Sequence, residues 1–286
     1  MMAQASRLDE AVDTVVTIGK QHLNVRKPEL VSLADEFDAD IQELTGKFDC
    51  DDVLKRLLGV KSIFSIDVSD YEGCDFVHDM NIPVSDEMHN KFDVLIDGGS
   101  LEHIFNVPVA LDNYMNLVRP GGSIFIFTVA NNHMGHGFYQ FSPEFFYRVF
   151  EERNGFSVNN MWLEVHPYPG IELSANNRCY RVVDPKVVRG RVGVVSKKLV
   201  SILVHAKKAD FDSDVDKIQG YTPIQSDYAA MHNEVSNMDN VSIKKRGRML
   251  PVLAHKFLPK LLVNKIRGWR QLREFSFSNK RYFEKL

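Results

Sequence analysis

Short runs of apolar, often β-branched residues alternate with stretches of helical apolar spacing along the chain before Asp210. The runs predict strands at Thr14–Ile18, Ser62–Asp67, Asp75–Asp79, Phe92–Asp97, Ser123–Val129, Phe156–Val165 and Lys198–Ala206, of which the first and the fourth read as buried. The helical spacing predicts helices at Leu30–Leu44, Asp52–Leu58, Val107–Val118 and Pro143–Phe150. Strands that alternate with helices form βαβ units, so we expect an α/β fold with a doubly wound, mostly parallel seven-stranded sheet.

Two of the predicted helices carry recognisable start signals. Asn106 is placed to cap the helix that begins at Val107, and Pro108 occupies its first turn. Ser142-Pro143-Glu144 opens the helix that carries Phe145 and Phe150. We therefore expect a side-chain cap at Asn106.

Composition describes an ordinary globular protein, with 44% hydrophobic and 26% charged residues. The three cysteines lie far apart and form no C-x-x-C pair, which argues against a zinc ribbon and fits a reducing cytoplasm. The residues from Met1 to Asp13 include acids and lack the apolar core of a signal peptide. No apolar run approaches the ~20 residues of a spanning helix, so we expect a cytoplasmic protein without a membrane span.

Charge divides the chain unevenly. From Lys244 to Leu286 there are 13 Lys and Arg against two acids, whereas the preceding residues have 22 basic and 36 acidic residues. We therefore expect a Rossmann-like α/β domain over residues 1–209, a polar loop or linker over 210–240, and a basic, helical C-terminal extension over 241–286. Such an extension either binds external anions or packs against the acidic body of its own chain. We favour packing and expect no specific nucleic-acid partner, because no aromatic–basic recognition motif is present.

Polar residues follow the predicted strands at the positions where an open parallel sheet binds ligands. Gly19, Asp67, Asp79 and Asp97 each stand at or just after the end of one strand. A carboxylate after the second strand is placed to accept hydrogen bonds from two ribose hydroxyls, and a polar side chain after the third can receive an adenine amino group. Any one of these acids also has an explanation as a loop or cap residue, but their common register favours a ligand site.

Several of these segments resemble one known family. The strand Phe92–Asp97, the turn Ser100–Ile104 and the Pro-Gly-Gly segment Arg119–Ile126 look like class I S-adenosylmethionine-dependent methyltransferases of the type 11 kind. Ser65–Ser69 and His78–Pro83 are similar to compact members of that family, and the resemblance covers roughly Val12 to Ala206. It implies a Rossmann-like methyltransferase domain and S-adenosylmethionine as cofactor. The cofactor-binding residues that it implies, together with the strand ends, are Gly19, Lys20, Gln21, Asp67, Asp79, Met80, Asp97, Ser100 and His103.

The first turn departs from the family pattern. Here Thr17–His22 contains a single glycine, where the family has an acidic residue and a glycine-rich turn that admits the methionine part of the cofactor. Either Lys20 and Gln21 hold the methionine carboxylate in another way, or the chain is a catalytically inactive, methyltransferase-like binding module. A nicotinamide-dependent enzyme is disfavoured because G-x-G-x-x-G is absent.

The loop after the fifth strand is rich in groups that exchange protons. Its His133, His136 and Tyr139 are candidate catalytic residues, since they could orient a hydroxyl or amine and remove its proton. In the resembled fold this loop lines the pocket of the acceptor, which we expect to be a small molecule or glycan-like. A metal held by His133 and His136 is disfavoured, because no carboxylate or cysteine lies nearby in sequence. His103 would either face the cofactor sulfonium or cap the following helix.

Overall fold

Nine strands form one mixed sheet in a computed structural model that describes residues 12–21, 31, 34–35, 50–167, 177–188, 190–210 and 260–286. The strands are β1 (Thr14–Ile18), β2 (Ser62–Asp67), β3 (Phe76–Val77), β4 (Phe92–Asp97), β5 (Val118–Asn131), β6 (Phe156–Val165), β7 (Arg178–Val182), β8 (Val200–Lys208) and β9 (Phe283–Lys285). The helices are α1 (Cys50–Leu58), α2 (Val107–Leu117), α3 (Pro143–Val149), α4 (Pro185–Val188) and α5 (Lys260–Glu274). The helix predicted at Leu30–Leu44 lies almost wholly outside the described residues.

The order of strands across the sheet is β3-β2-β1-β4-β5-β8-β6-β7-β9. The strands β1 to β5 pair in parallel, and β8 inserts antiparallel between β5 and β6. The strands β7 and β9 extend the antiparallel side. The prediction of a seven-stranded, mostly parallel sheet was therefore wrong in the number of strands and in the share of them that pair in parallel. It missed β7 and β9, which have five and three residues and include exposed positions, so they lack the continuous apolar run of a buried strand.

The central strands of the parallel half, β1 and β4, are buried on both faces, as their apolar residues require. On one face α2 packs against the sheet through Ala110, Leu111 and Tyr114, all at most 1% exposed. On the other face Val15, Val60, Val94 and Phe125 form a smaller cluster. The buried strands thereby hold their carboxyl ends at one edge, which is where the site described below lies.

The starts of α2 and α3 differ. The Oγ of Ser142 accepts a hydrogen bond from the backbone N–H of Phe145 and so caps α3, which begins where the sequence predicts a helix. Asn106 precedes α2 but makes no capping hydrogen bond; its Nδ2 donates to the carbonyl of Asn81 at 3.2 Å, and its own N–H donates to Asn81 Oδ1 at 2.9 Å. A tertiary partner thus replaces the local one, and α2 is tied to the loop that follows β3.

The last residues of the chain join the sheet. Strand β9 pairs with β7, and the Phe277 ring stacks on Tyr180 with ring centroids 4.5 Å apart. Tyr282 and Phe283 are each 3% exposed. Part of the basic segment forms α5, whereas residues 211–259, with the predicted linker and the start of the extension, lie outside the described residues. Of the helices that the structure describes, none combines the length and the apolar character needed to cross a bilayer.

Candidate functional site

A cavity of about 310 Å³ lies at the carboxyl ends of β1 to β4, and we call it the edge cavity. Its lining comes from the residues that end each of these strands and from the turns that follow. Six of the nine residues predicted to bind a cofactor line it: Gly19, Asp67, Asp79, Met80, Ser100 and His103. The common register of the strands brings these residues together from four separate segments.

The turn after β1 requires glycine. Gly19 has a φ of +71°, and a Cβ at this position would lie 3.3 Å from the Oγ of Ser100. The Gly19 N–H donates to the carbonyl of Ile66 at 2.8 Å, and Ser100 Oγ donates to the carbonyl of Ile18 at 2.9 Å. The ends of β1, β2 and β4 are therefore tied together directly under the cavity.

Two carboxylates of the cavity each keep one oxygen without a partner among the described residues. Asp67 is half-buried at the end of β2, and its Oδ1 accepts a long hydrogen bond of 3.4 Å from the Ser69 N–H. The Oδ1 of Asp79 accepts from the N–H and the Nδ2 of Asn81 at 2.9 and 2.8 Å, and these bonds lower the pKa of Asp79. In both residues Oδ2 remains able to accept a hydrogen bond from a ligand.

Lys20 and Gln21 do not line the edge cavity. The Nε2 of Gln21 donates to the carbonyls of Ile18 and Gly19 at 2.8 and 3.3 Å. Its amide also packs on Gly98, where an added Cβ would lie only 1.9 Å from Gln21 Oε1. In this conformation Gln21 holds the first turn in place.

Asp97 lies beneath the cavity and is 1% exposed. Its Oδ1 accepts hydrogen bonds from the N–H groups of Gly99 and Ser100, and its Oδ2 accepts from the Leu101 N–H and the Tyr114 hydroxyl. Burial raises its pKa to about 6 despite these bonds. Asp97 thus shapes the turn that carries Ser100 and His103.

The three candidate catalytic residues of the loop after β5 lie in different environments. His133 is 6% exposed, its Nε2 is buried without a partner in the described part of the chain, and burial together with His166 and His136 lowers its pKa. His136 is exposed, and its Nε2 lies 3.5 Å from Glu102 Oε1. The Tyr139 hydroxyl donates to the carbonyl of Phe105 at 2.8 Å, which ties the loop to the turn after β4.

Two residues of this region had no role in the sequence analysis. Glu102 is 2% exposed, its Oε2 accepts from the Thr128 hydroxyl at 2.6 Å, and its carbonyl accepts from the Phe138 N–H at 2.7 Å. His166 is 1% exposed and its Nε2 lies 2.8 Å from Ser201 Oγ. We call Glu102, His103, His133, His136 and His166 the histidine cluster. Only the Leu101–His103 turn of the resembled motif could have pointed to Glu102.

No protein-family model and no curated protein matches this sequence. Solved structures that are similar to it include a SAM-dependent methyltransferase from Aquifex aeolicus, 13% identical over 71% of this chain and 87% of that one, at a TM-score of 0.33. The YcgJ protein of Bacillus subtilis is 11% identical over 73% of this chain and 97% of its own, at 0.42.

A third similar structure is the 1,6-didemethyltoxoflavin-N1-methyltransferase of Burkholderia thailandensis, solved with 1,6-didemethyltoxoflavin and S-adenosylhomocysteine bound. It is 12% identical over 73% of this chain and 77% of its own, at a TM-score of 0.38. At the level of the fold, the predicted α/β arrangement is confirmed for the strands β1 to β5, which pair in parallel, whereas β8 runs antiparallel beside them.

Proposed function

We propose that this protein transfers a methyl group from S-adenosylmethionine to a small-molecule or glycan-like acceptor. The observation that carries the proposal is the edge cavity, in which carboxylates with a free oxygen follow both β2 and β3. Its volume of about 310 Å³ lies at the lower end of the range of small-ligand sites, which suits an adenosyl group better than a whole dinucleotide.

Each lining residue has a task that its chemistry supports. Asp67 accepts hydrogen bonds from the ribose hydroxyls, and Asp79 accepts one from the adenine amino group. Met80, which is 5% exposed, provides an apolar wall. Bound there, the cofactor would supply an electrophilic methyl group on its sulfonium. Ser100 and His103 line the side of the cavity formed by the turn after β4. His103 also belongs to the histidine cluster, since its ring contacts that of His136.

On the acceptor side the protein needs a group that takes a proton. His133 is suited to this because its pKa is lowered, which keeps the imidazole neutral near pH 7, and because its Nε2 has no partner among the described residues. His136 is exposed and lies against the carboxylate of Glu102, which can orient the ring. The hydroxyl of Tyr139 is committed to the Phe105 carbonyl, so Tyr139 acts by holding the loop.

A catalytically inactive binding module is the second candidate function, and one observation favours it. The first turn has a single glycine, and the Gln21 amide packs against Gly98. The family's glycine-rich turn admits the methionine part of the cofactor at this point. A chain that binds the adenosyl part without admitting the methionine part would have this arrangement.

Calorimetric titration with S-adenosylhomocysteine tests the proposal. The wild type should bind it, and Asp67→Ala should weaken binding about ten- to hundredfold, because loss of a charge-assisted hydrogen bond costs about 1.5–3 kcal/mol. Asp70→Ala is the matched control, since Asp70 is an exposed acid three residues later that does not line the cavity. Absence of binding at millimolar ligand would sink the proposal.

A second titration separates the two candidates. Methylthioadenosine contains the adenosyl group and the sulfur but lacks the amino-acid part. If the methionine part is admitted, S-adenosylhomocysteine binds more tightly than methylthioadenosine. Equal affinities would mean that the first turn gives the methionine part no contact, and they would favour the inactive module.

A further inference from the structure

Three potential metal ligands meet where the turn after β4 faces the loop after β5. Glu102 and His103 belong to the 3₁₀ turn Leu101–His103, and His136 comes from the loop. One ligand atom from each of the three lies within 4.8 Å of those of the other two. The rings of His103 and His136 have centroids 5.1 Å apart. Small rotations of the two exposed imidazoles would bring all three donors to the spacing of a coordination shell.

The charge at this position is unbalanced. The Glu102 side chain is 2% exposed and receives a hydrogen bond from Thr128, but among the described residues no Lys or Arg pairs with it. A second carboxyl, that of Asp97, is buried close enough for the charge of Glu102 to act on it. A buried carboxylate is costly unless a cation offsets it. An ion bound with the help of the two imidazoles would offset the charge of Glu102.

We propose that Glu102, His103 and His136 bind a divalent cation of the zinc class. One carboxylate and two imidazoles form the donor set of open zinc sites, in which three protein ligands leave a further position for water or substrate. Thr128 acts as the outer partner that fixes the carboxylate, with its hydroxyl 2.6 Å from Glu102 Oε2. The sequence alone disfavoured a metal because Glu102 lies 34 positions before His136, and only the fold joins them.

The location gives the ion a use. His103 also lines the edge cavity, so the three ligands lie between that cavity and the loop after β5. An oxygen of the acceptor could occupy the open position, which would lower the pKa of an acceptor hydroxyl. This last step rests on the proposed function and narrows the acceptor to a molecule with a hydroxyl. The binding of the ion itself does not depend on it.

Zinc binding by the full-length protein tests the inference without an acceptor. Chelator-treated protein titrated calorimetrically with Zn²⁺ should bind one ion with an affinity that His103→Gln and His136→Gln each weaken by more than about 100-fold, the upper end of what loss of an outer partner costs. Both imidazoles are exposed, so these changes should leave folding intact. Thr128→Val should weaken binding by about 10- to 100-fold.

The control is a histidine–carboxylate pair at the opposite edge of the sheet. His89 precedes β4, and its Nε2 lies 3.9 Å from Asp86. His89→Gln should leave zinc affinity unchanged. The inference is overturned if wild type binds no zinc, or if His103→Gln and His136→Gln bind it as wild type does. Titration of the same preparations with S-adenosylhomocysteine shows separately whether the cofactor proposal holds, because His136 does not line the edge cavity.

Discussion

The edge cavity and the histidine cluster lie side by side but are built in different ways. The hydrogen bonds of the cavity's carboxylates come from the same short loops, two residues away for both Asp67 and Asp79. In the cluster, Glu102 is bonded to Thr128, 26 residues on, and His166 to Ser201, 35 residues on. The cavity therefore follows from where strands end, whereas the cluster depends on tertiary packing. We therefore expect a bound ligand to change the structure only within the cavity. A mutation in the cluster should change the structure of several elements.

The largest expected effect separates the two regions by function. His136→Gln should lower turnover by about 100-fold, because it removes a ligand of the proposed ion, which would bind the acceptor's oxygen. The affinity for S-adenosylhomocysteine should stay unchanged. Turnover is followed as release of that product with any hydroxyl or amine acceptor on which the wild type is active.

Asp67→Ala is the reciprocal variant, since it should weaken S-adenosylhomocysteine and leave zinc affinity unchanged. If His136→Gln weakens S-adenosylhomocysteine as strongly as Asp67→Ala does, the two regions act as a single site and the comparison fails. With His133 as the proton acceptor, its lowered pKa places the acid limb of the pH profile below about 6.5.

The same contrast explains which parts of the molecule could be predicted from sequence. The strands from β1 to β6 and β8 have apolar runs of their own, and the residues after the first four of them fall at the edge cavity. The predicted strand Asp75–Asp79 shortens to Phe76–Val77, because the carboxylate of Asp75 turns back to accept from the Ser65 N–H at 2.8 Å.

The failures have one physical cause, which is competition from partners remote in sequence. Strand β9 exists because Tyr180 pairs with Lys285, over a hundred positions away. Asn106 bonds to Asn81 rather than to its own helix. The approach of Glu102 to His136 likewise depends on how a turn and a loop pack, and no local pattern encodes that distance.

The next prediction concerns how stability depends on pH, and we expect the free energy of unfolding to change by about 2 kcal/mol. His205 in β8 stacks on its cross-strand neighbour Phe125 in β5, and burial lowers the pKa of His205 to about 4. Its pKa in the unfolded chain is about 6.5, so between these values the unfolded state binds a proton that the folded state does not. Stability should therefore fall as pH drops from 6.5 towards 4. The free energy of unfolding, measured in urea, should fall between pH 7 and pH 5 by more in the wild type than in His205→Gln. The difference between the two proteins should be about 2 kcal/mol at most.

The other shifted groups leave this difference intact. The raised pKa of Asp97 acts with the opposite sign, because the folded state takes up a proton near pH 6 before the unfolded chain does, but it is common to both proteins. Asp79 has a lowered pKa, so its contribution is lost only at more acid pH, below the range of the experiment. Equal losses in the two proteins would show that His205 is protonated in the folded state.

The smallest effect tests whether the Glu102 carbonyl fixes the loop that carries the cluster. Gly135 and Gly137 both have positive φ, +87° and +76°, so alanine at either position should cost about 1–2 kcal/mol in backbone strain. An added Cβ at Gly135 meets nothing within 4 Å, whereas at Gly137 it would lie 2.7 Å from the carbonyl oxygen of Glu102. That oxygen accepts the Phe138 N–H, so Gly137→Ala must also displace this bond, at a further cost of about 1 kcal/mol.

The melting temperature of Gly137→Ala should therefore be lower than that of Gly135→Ala. Gly137→Ala should also bind zinc more weakly, and both variants should bind S-adenosylhomocysteine with wild-type affinity. Equal melting temperatures and equal zinc affinities would mean that the loop is positioned by its other contacts, such as Tyr139 to Phe105, and that the cluster tolerates movement at Glu102.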